Sequence, residues 1–172
     1  MILWEKLYKN DTTHKPQLVL KREVYDFIVK TTKESPYLET GGILIGFDKE
    51  PLKVDVNYAT LPGPRSYQSS VKFIRDTDYC SKTLNDRFKY FGEDYVGEWH
   101  SHVVNLRKMS SGDFMTINSI IQDIDYDFKA FACIVSILQD DEVELIGYMA
   151  SKIDRYTTNI YNVKIEINEN NT

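Results

Sequence analysis

Two of the three histidines in this sequence stand one residue apart, in His100-Ser101-His102, and a carboxylate follows at Asp113. In an extended chain alternate side chains point to the same side, so both imidazoles would face one way. Two imidazole nitrogens and one carboxylate oxygen form a three-ligand set for zinc, which leaves the fourth tetrahedral position open for water. With a net charge of about +1 such a site stays Lewis acidic, and the pKa of bound water falls to about 7. These residues predict one Zn²⁺ per chain.

Hydrolysis at such a metal also needs a base that takes a proton from water and passes it to the leaving amine. Glu39 stands just before the Gly41-Gly42 pair of a predicted strand, and its carboxylate could reach the metal across the sheet. Glu98 competes for this role because strand alternation places it on the same side as His100. Glu98 could also orient a histidine from behind the metal. Spacing alone leaves both glutamates open.

Ser110 and Asp113 also fit a structural pattern. Ser-x-x-Asp at the start of a helix is a capping box, with Met109 and Phe114 placed for a hydrophobic staple. Taken alone, capping is the commoner use of this pattern, and His-x-His alone also has a structural explanation more often than a functional one. The combined spacing of all four positions with Glu39 makes coincidence improbable. Capping and metal binding do not exclude each other.

The combined pattern resembles the JAMM metalloproteases of the JAB/MPN fold, particularly their prokaryotic branch. The family signature is a glutamate followed much later by His-x-His, seven residues, Ser, two residues and Asp. It is matched here by Glu39, His100-Ser101-His102, Ser110 and Asp113. The resemblance implies that both histidines and Asp113 bind zinc, that Glu39 is the general base, and that the Ser110 hydroxyl helps to stabilise the oxyanion.

Further similarity extends over roughly residues 20 to 150, through segments 39–46, 62–64, 73–76 and 96–102. One departure concerns the loop that follows the histidines. Family members often carry proline directly after the second histidine and just before the serine, where this chain has Val103 and Met109. Neither position supplies a ligand, so the departure bears on substrate access more than on metal binding.

The periodicity of apolar residues predicts three helices among short strands, and hence an α/β fold in the broad sense (α+β). The resemblance implies a JAB/MPN-like, mixed, mainly antiparallel sheet flanked by helices. One helix is expected to end near Thr32, and a second to run from about Asp76 to Tyr90. A third is expected to place Phe114, Ile117, Ile121 and Ile124 on one face. Strands are expected at 42–46, 52–59, 71–74, 95–102, 131–138, 143–150 and 163–167, after a first apolar segment at 2–8.

The length of 172 residues, 42% of them hydrophobic, predicts one domain over residues 1–167 and a disordered tail at 168–172. The net charge of −5 disfavours a nucleic-acid partner, and the N-terminus lacks an apolar run for a membrane helix or signal, so a cytoplasmic protein is expected. Cys80 and Cys133 show no CxxC spacing and are expected to be buried thiols.

By the resemblance, the protein is expected to be a peptidase or isopeptidase. Its substrate would be a ubiquitin-like or otherwise C-terminally conjugated protein, as in deubiquitinase-like deconjugation. Bacterial relatives occur in antiphage operons of the CBASS type, in which the C-terminus of a nucleotidyltransferase is attached to a target. Two alternatives stay open: a non-catalytic MPN scaffold that binds a partner protein, and a peptidase that processes a sulfur-carrier protein.

Overall fold

The structure is a computed structural model that describes residues 15–103 and 106–169. Helices and strands alternate irregularly along these two ranges. They are β1 (Gln17–Lys21), α1 (Arg22–Glu34), β2 (Gly41–Glu50), β3 (Lys53–Ala59), β4 (Tyr67–Gln68), β5 (Phe73–Ile74), α2 (Thr77–Phe91), β6 (Asp94–His102), α3 (Ser111–Gln122), β7 (Phe131–Gln139), β8 (Glu142–Lys152), β9 (Thr158–Val163) and β10 (Ile165–Asn168).

Eight of these strands form one sheet in the order β10-β1-β3-β2-β6-β7-β8-β9, and β4 pairs with β5 in a separate hairpin. Four of the seven pairings in the large sheet are antiparallel, and β1–β10, β1–β3 and β6–β7 are parallel. The sheet curls until β8 approaches β10. A Cβ atom on Gly147 would lie 2.8 Å from Cγ1 of Ile165. The prediction of a mixed, mainly antiparallel sheet flanked by three helices is confirmed.

The sheet separates two apolar cores. One lies under α1 and includes Leu18, Ile28, Val56 and Trp99. The other lies under α2 and α3, with Ile43, Cys80, Ile117 and Phe131 among its members. Both cores are needed because each face of a mostly buried sheet must be covered by helices. Cys80 and Cys133 are free, buried thiols, as the sequence predicts.

Strand β6 lies near the middle of the sheet and carries the two closely spaced histidines at its end. It is anchored by Trp99, which is fully buried and whose indole N–H donates to the Thr60 carbonyl at 3.1 Å. Its pairing with β2 shifts between Leu44 and Ile45, so that Val96 has no partner and forms a bulge.

Three predicted elements differ from the structure. Helix α3 ends at Gln122, so Ile124 lies outside it and is exposed, and Phe114 is also largely exposed, leaving Ile117 and Ile121 as the buried face. The strand predicted at 71–74 is restricted to Phe73–Ile74. The strand predicted at 163–167 is two strands, because the chain leaves β8 after Val163 and pairs with β1 from Ile165 onward.

The ends of the chain are only partly described. Asn168 closes β10, and the Glu169 carboxylate accepts from Nε of Arg22 at 3.1 Å. Residues 170–172 of the predicted tail, and the apolar segment predicted at 2–8, lie outside the described residues. In the described ranges, the helices are all too short or too polar to cross a bilayer.

Candidate metal centre

The predicted ligands meet at the end of β6. The Nε2 atoms of His100 and His102 are 3.0 Å apart. Asp113, in the first turn of α3, places Oδ1 3.2 Å from Nε2 of His100 and Oδ2 3.3 Å from Nε2 of His102. The three side chains are thus arranged as a group that could hold a metal ion. The strand alternation and the helix start that were read from the sequence bring them together.

The tautomer of His102 is fixed by the chain that follows it. Its Nδ1 atom lies 3.0 Å from the carbonyl oxygen of Leu106, which can only accept, so Nδ1 carries the proton and donates. In a neutral imidazole the Nε2 lone pair is then free and points toward His100 and Asp113. A backbone carbonyl behind the distal nitrogen is the usual support of a metal-binding histidine.

Helix α3 begins with the capping box that the sequence predicts. The Ser110 hydroxyl accepts from the Asp113 N–H at 3.1 Å, and the Ser110 N–H donates to Oδ2 of Asp113 at 2.7 Å. The box therefore fixes the rotamer of a candidate ligand. A serine hydroxyl that accepts one hydrogen bond still has its own O–H to donate, and Ser110 lines the same cavity as the histidines.

Glu39 lies at the entry of β2, beside the end of β6. Gly41 is paired with His100 in the antiparallel ladder, so Glu39, two residues earlier, is on the same face of the sheet as the histidines. Thr40 and Ser101 hold this junction by two hydrogen bonds, Ser101 N–H to Thr40 O at 2.7 Å and Thr40 N–H to Ser101 Oγ at 3.0 Å. The carboxylate of Glu39 lines the cavity that contains the three candidate ligands.

Gly41 permits this close junction. A Cβ atom there would lie 2.3 Å from the Trp99 carbonyl oxygen and 2.8 Å from Cε1 of Phe73. No side chain fits between β6 and the Phe73 ring. The glycine that precedes the apolar run of β2 is thus required by the packing of the cavity wall.

The site is strongly coupled electrostatically. Burial opposes the charge of Asp113, but hydrogen bonds with His100, His102 and Ser110 prevail and hold its pKa well below the usual range. Burial lowers the pKa of His102, yet the contacts with Asp113 and the Leu106 carbonyl outweigh it and raise the pKa. Burial also raises the pKa of Glu39, as does Asp113, against the opposing effect of the two histidines. A positive charge between His102 and Asp113 is therefore favoured, whether a proton or a metal ion supplies it.

The site also contains a charged pair that sequence reasoning did not identify. Glu98 projects from β6 on the face of His100, but it is not placed to orient a histidine by any contact seen among the described residues. Its Oε1 atom forms an ion pair with the guanidinium of Arg75 and accepts from the Tyr95 hydroxyl at 2.7 Å. The bulge at Val96 explains why Tyr95 and Glu98, three residues apart, share one face. Burial and the neighbouring carboxylate both raise the pKa of Tyr95, so its hydroxyl stays a donor.

One cavity of about 620 Å³ contains the three candidate ligands, Glu39, Ser110 and the Arg75–Glu98 pair. Its floor is formed by β6 and Cys133, and its two walls differ in origin. One wall is α3, through Ser110, Asp113 and Ile117. The other is the segment Val71–Arg75 together with Glu39. A volume of this size is typical of ligand pockets.

Met109 occupies one position where the resembling family often has proline. Its backbone N–H donates to the Tyr148 hydroxyl at 3.1 Å, a bond that proline cannot make. A hydrogen bond thus holds the loop before α3 to β8, at the position where the resembling family often has a proline that stiffens the loop.

Comparisons with known proteins agree with this picture at a coarse level. No protein-family model matches the sequence. Over 110 residues the chain is 30% identical to a protein of Enterobacter hormaechei subsp. hoffmannii named CD-NTase/cGAS isopeptidase. The match covers 63% of this chain and 61% of that protein, so it spans about three fifths of the relative's length.

Among solved structures, the chain is similar to protein DSY2949 from Desulfitobacterium hafniense, determined in solution. The TM-score is 0.64, with 16% identity, over 90% of this chain and 94% of that chain. At this identity the likeness shows a shared fold and carries no statement about activity.

Proposed function

We propose that this protein is a zinc-dependent isopeptidase of the JAMM type. The observation that carries the proposal is the close approach of the two imidazole Nε2 atoms to each other and to the Asp113 carboxylate. With ligand bonds of about 2.0–2.1 Å, neighbouring ligands of a tetrahedral zinc ion lie about 3.3 Å apart. Here the two Nε2 atoms are 3.0 Å apart, that of His100 is 3.2 Å from Oδ1 of Asp113, and that of His102 is 3.3 Å from Oδ2. A metal ion bound between the two imidazoles and the carboxylate would satisfy all three groups at once.

Each residue of the site then has a definite role. His100, His102 and Asp113 would hold the zinc, with His102 oriented by the Leu106 carbonyl and Asp113 by the capping box. When bound, zinc supplies a Lewis acid that polarises the scissile carbonyl and lowers the pKa of the attacking water. Glu39 accepts the proton of that water and delivers it to the leaving amine. The O–H of Ser110 donates to the oxyanion that develops on the carbonyl oxygen.

The proposed substrate is a protein joined to its target through its own C-terminus. Support comes from the relative whose name describes an isopeptidase for CD-NTase/cGAS. A CD-NTase conjugate in bacterial antiphage defence is accordingly the substrate we favour. Such a tail would have to enter the cavity of about 620 Å³ that contains Glu39 and the proposed ligands.

The experiment combines metal analysis with a cleavage assay. Protein purified without chelator is expected to contain about one zinc per chain, because a preorganised three-ligand site binds zinc tightly. A linear fusion that joins a fluorescent protein to the C-terminus of a CD-NTase is expected to be cut at the junction. His100→Ala should lose both zinc and cleavage. His14→Ala removes the third histidine of the sequence, which is not one of the proposed ligands, and should lose neither.

The two parts of the experiment contradict the proposal in different ways. Absence of zinc, with no uptake on addition, would rule out the metal site and favour a non-catalytic scaffold. Zinc binding together with cleavage of a sulfur-carrier fusion, and no cleavage of the CD-NTase fusion, would keep the chemistry and reject the substrate.

A further inference from the structure

The Arg75–Glu98 ion pair lies in the wall of the cavity, although the proposed chemistry does not use it. The side chains are only 27% and 15% exposed, respectively. Burial of an ion pair costs desolvation energy, and well-packed apolar residues of similar size are often as stabilising or more so. Fold stability alone is therefore a weak explanation of this pair. The position of the two residues in the fold offers another one.

Arg75 follows directly after β5, the second strand of the small hairpin. The hairpin is held together by Tyr67–Ile74 and Gln68–Phe73 pairing, and by a hydrogen bond from the Ser69 N–H to the Lys72 carbonyl at 2.9 Å. The hairpin is not part of the large sheet, so its strands form no backbone hydrogen-bond ladder with β6. Arg75 supplies a charged link from the end of this hairpin to Glu98 on β6.

The same hairpin holds the residue proposed as the base. The N–H of Glu39 donates to the carbonyl oxygen of Ser69, in the hairpin turn, at 2.8 Å. A chain of contacts therefore runs from Glu39 through Ser69 and the hairpin to Arg75, and from there to Glu98. Glu98 is two residues from His100 on the same strand and the same face. Tyr95 holds the far end of this chain, because its hydroxyl donates to the oxygen that Arg75 contacts.

We infer that Arg75 is a positioning residue that clamps the hairpin of residues 67–74 onto β6 and so fixes Glu39 relative to the metal ligands. The inference rests on the proposed function for its kinetic consequence. The structural consequence, that Arg75 holds the hairpin and the Glu39 backbone in place, does not depend on that function. Arg75 touches neither the ligands nor the proposed reacting atoms, so its effect is transmitted through the hairpin.

The test is Arg75→Met, which keeps the length of the side chain and removes its charge. The matched control is Arg87→Met. Arg87 and Glu93 form a comparably buried pair, 21% and 5% exposed, with Nε to Oε2 at 2.6 Å, and neither residue lines the cavity. Both changes break a half-buried Arg–Glu pair, but only the first one releases the hairpin. Arg75→Lys, which keeps a cation beside Glu98, should lie between Arg75→Met and the parent.

The first measurement is backbone hydrogen exchange by NMR on metal-free protein. In Arg75→Met the amides of Glu39 and Ser69 are expected to exchange at least ~10-fold faster than in the parent, because local opening removes their bonds. In Arg87→Met they should exchange as in the parent. This outcome is independent of any enzymatic activity.

The second measurement is cleavage of the CD-NTase fusion by zinc-loaded protein. For Arg75→Met we expect zinc content near one, KM within about twofold, and kcat lower by roughly 10- to 10²-fold, because misplacement of a catalytic group by about 1 Å has effects of this size. Unchanged exchange at Glu39 would overturn the clamp whether or not the parent cleaves the fusion. An equal fall of kcat in Arg87→Met would overturn it too, since the loss would then reflect weaker folding. Absence of cleavage by the parent would count against the proposed function alone.

Discussion

The two walls of the cavity are built in different ways. We call α3, together with the end of β6 that carries the histidines, the metal wall. It is continuous with the core, because Trp99 and His102 are buried and Ile117 and Ile121 pack α3 against the sheet. The base wall, formed by Glu39 and the hairpin of residues 67–74, lies on the surface. Its strands are two residues long, and its apolar side chains are largely exposed, among them Tyr67, Val71 and Ile74.

This difference separates the proposed metal binding from the proposed proton transfer. The proposed ligands are positioned by a central strand and by a capped helix. Glu39 is positioned by the neighbouring Thr40–Ser101 junction and by one hydrogen bond of its own to a small hairpin. Local opening requires least energy where few buried contacts resist it. Changes in the base wall should therefore act mainly on turnover, whereas changes in the metal wall should lower stability and metal affinity as well.

The largest effect is expected from Glu39→Gln. The variant should keep its zinc and lose roughly 10²-fold or more in kcat, because a general base contributes about that much. Glu98→Gln is the matched control, since it alters a carboxylate on the same cavity whose Oε1 already accepts from Arg75 and Tyr95. It should do less damage. If Glu98→Gln abolished turnover and Glu39→Gln did not, the assignment of the base would be reversed.

The same variant has a second signature in the metal-free protein. Burial raises the pKa of Glu39 in the folded state, so its carboxyl favours folding when protonated, and that contribution is lost as the pH rises through the folded pKa. Glu39→Gln cannot ionise. Its melting temperature should therefore improve relative to the parent between pH 4 and pH 8. A relative loss on raising the pH would contradict the raised pKa.

How much of this site can be predicted from sequence depends on how local each feature is. The capping box needs only the spacing of Ser110 and Asp113, and the common face of the histidines needs only strand alternation. Both were predictable. The Arg75–Glu98 pair was not, because it depends on a hairpin that packs against β6 and on a bulge at Val96. Neither feature has a signal within a short window of sequence.

The fold shows the same limit. Apolar runs predict most strands, but the division of 158–168 into β9 and β10 follows from pairing with β1 at the other end of the chain, with Leu18 opposite Ile165. The prediction that α3 extends to Ile124 is wrong for a local reason. Ile124 continues the apolar period, yet Asp123 already has extended backbone angles, and its side chain accepts from the Asp125 N–H instead. A turn-forming side chain overrode the periodicity.

An intermediate effect is expected at Ser110, on the metal wall. Ser110→Ala loses both the cap and the O–H donor, and should lower stability by about 1 kcal/mol, weaken zinc binding through Asp113, and reduce kcat by roughly 10²-fold. Ser110→Gly caps nearly as well and should reduce kcat with little loss of stability. Ser110→Thr keeps both functions. If Ser110→Gly retained full kcat, the hydroxyl would be a cap only.

The smallest effect on activity is expected from Gly92→Ala, which lies on neither wall and calibrates the stability loss of Ser110→Ala. Gly92 ends α2 at φ +67°, its N–H donates to the Phe88 carbonyl at 2.9 Å, and a Cβ atom there would meet nothing within 4 Å. Alanine is therefore penalised by its backbone angle alone, by about 1 kcal/mol, and Tm should fall by about 2–4 °C. Zinc content and kcat/KM on the CD-NTase fusion should equal those of the parent.

If Gly92→Ala lost turnover in proportion to its stability, then the kinetic defect of Ser110→Ala could be ascribed to weaker folding, and the contrast between the two walls would disappear. If turnover is unaffected, a loss at Ser110 must come from the site itself.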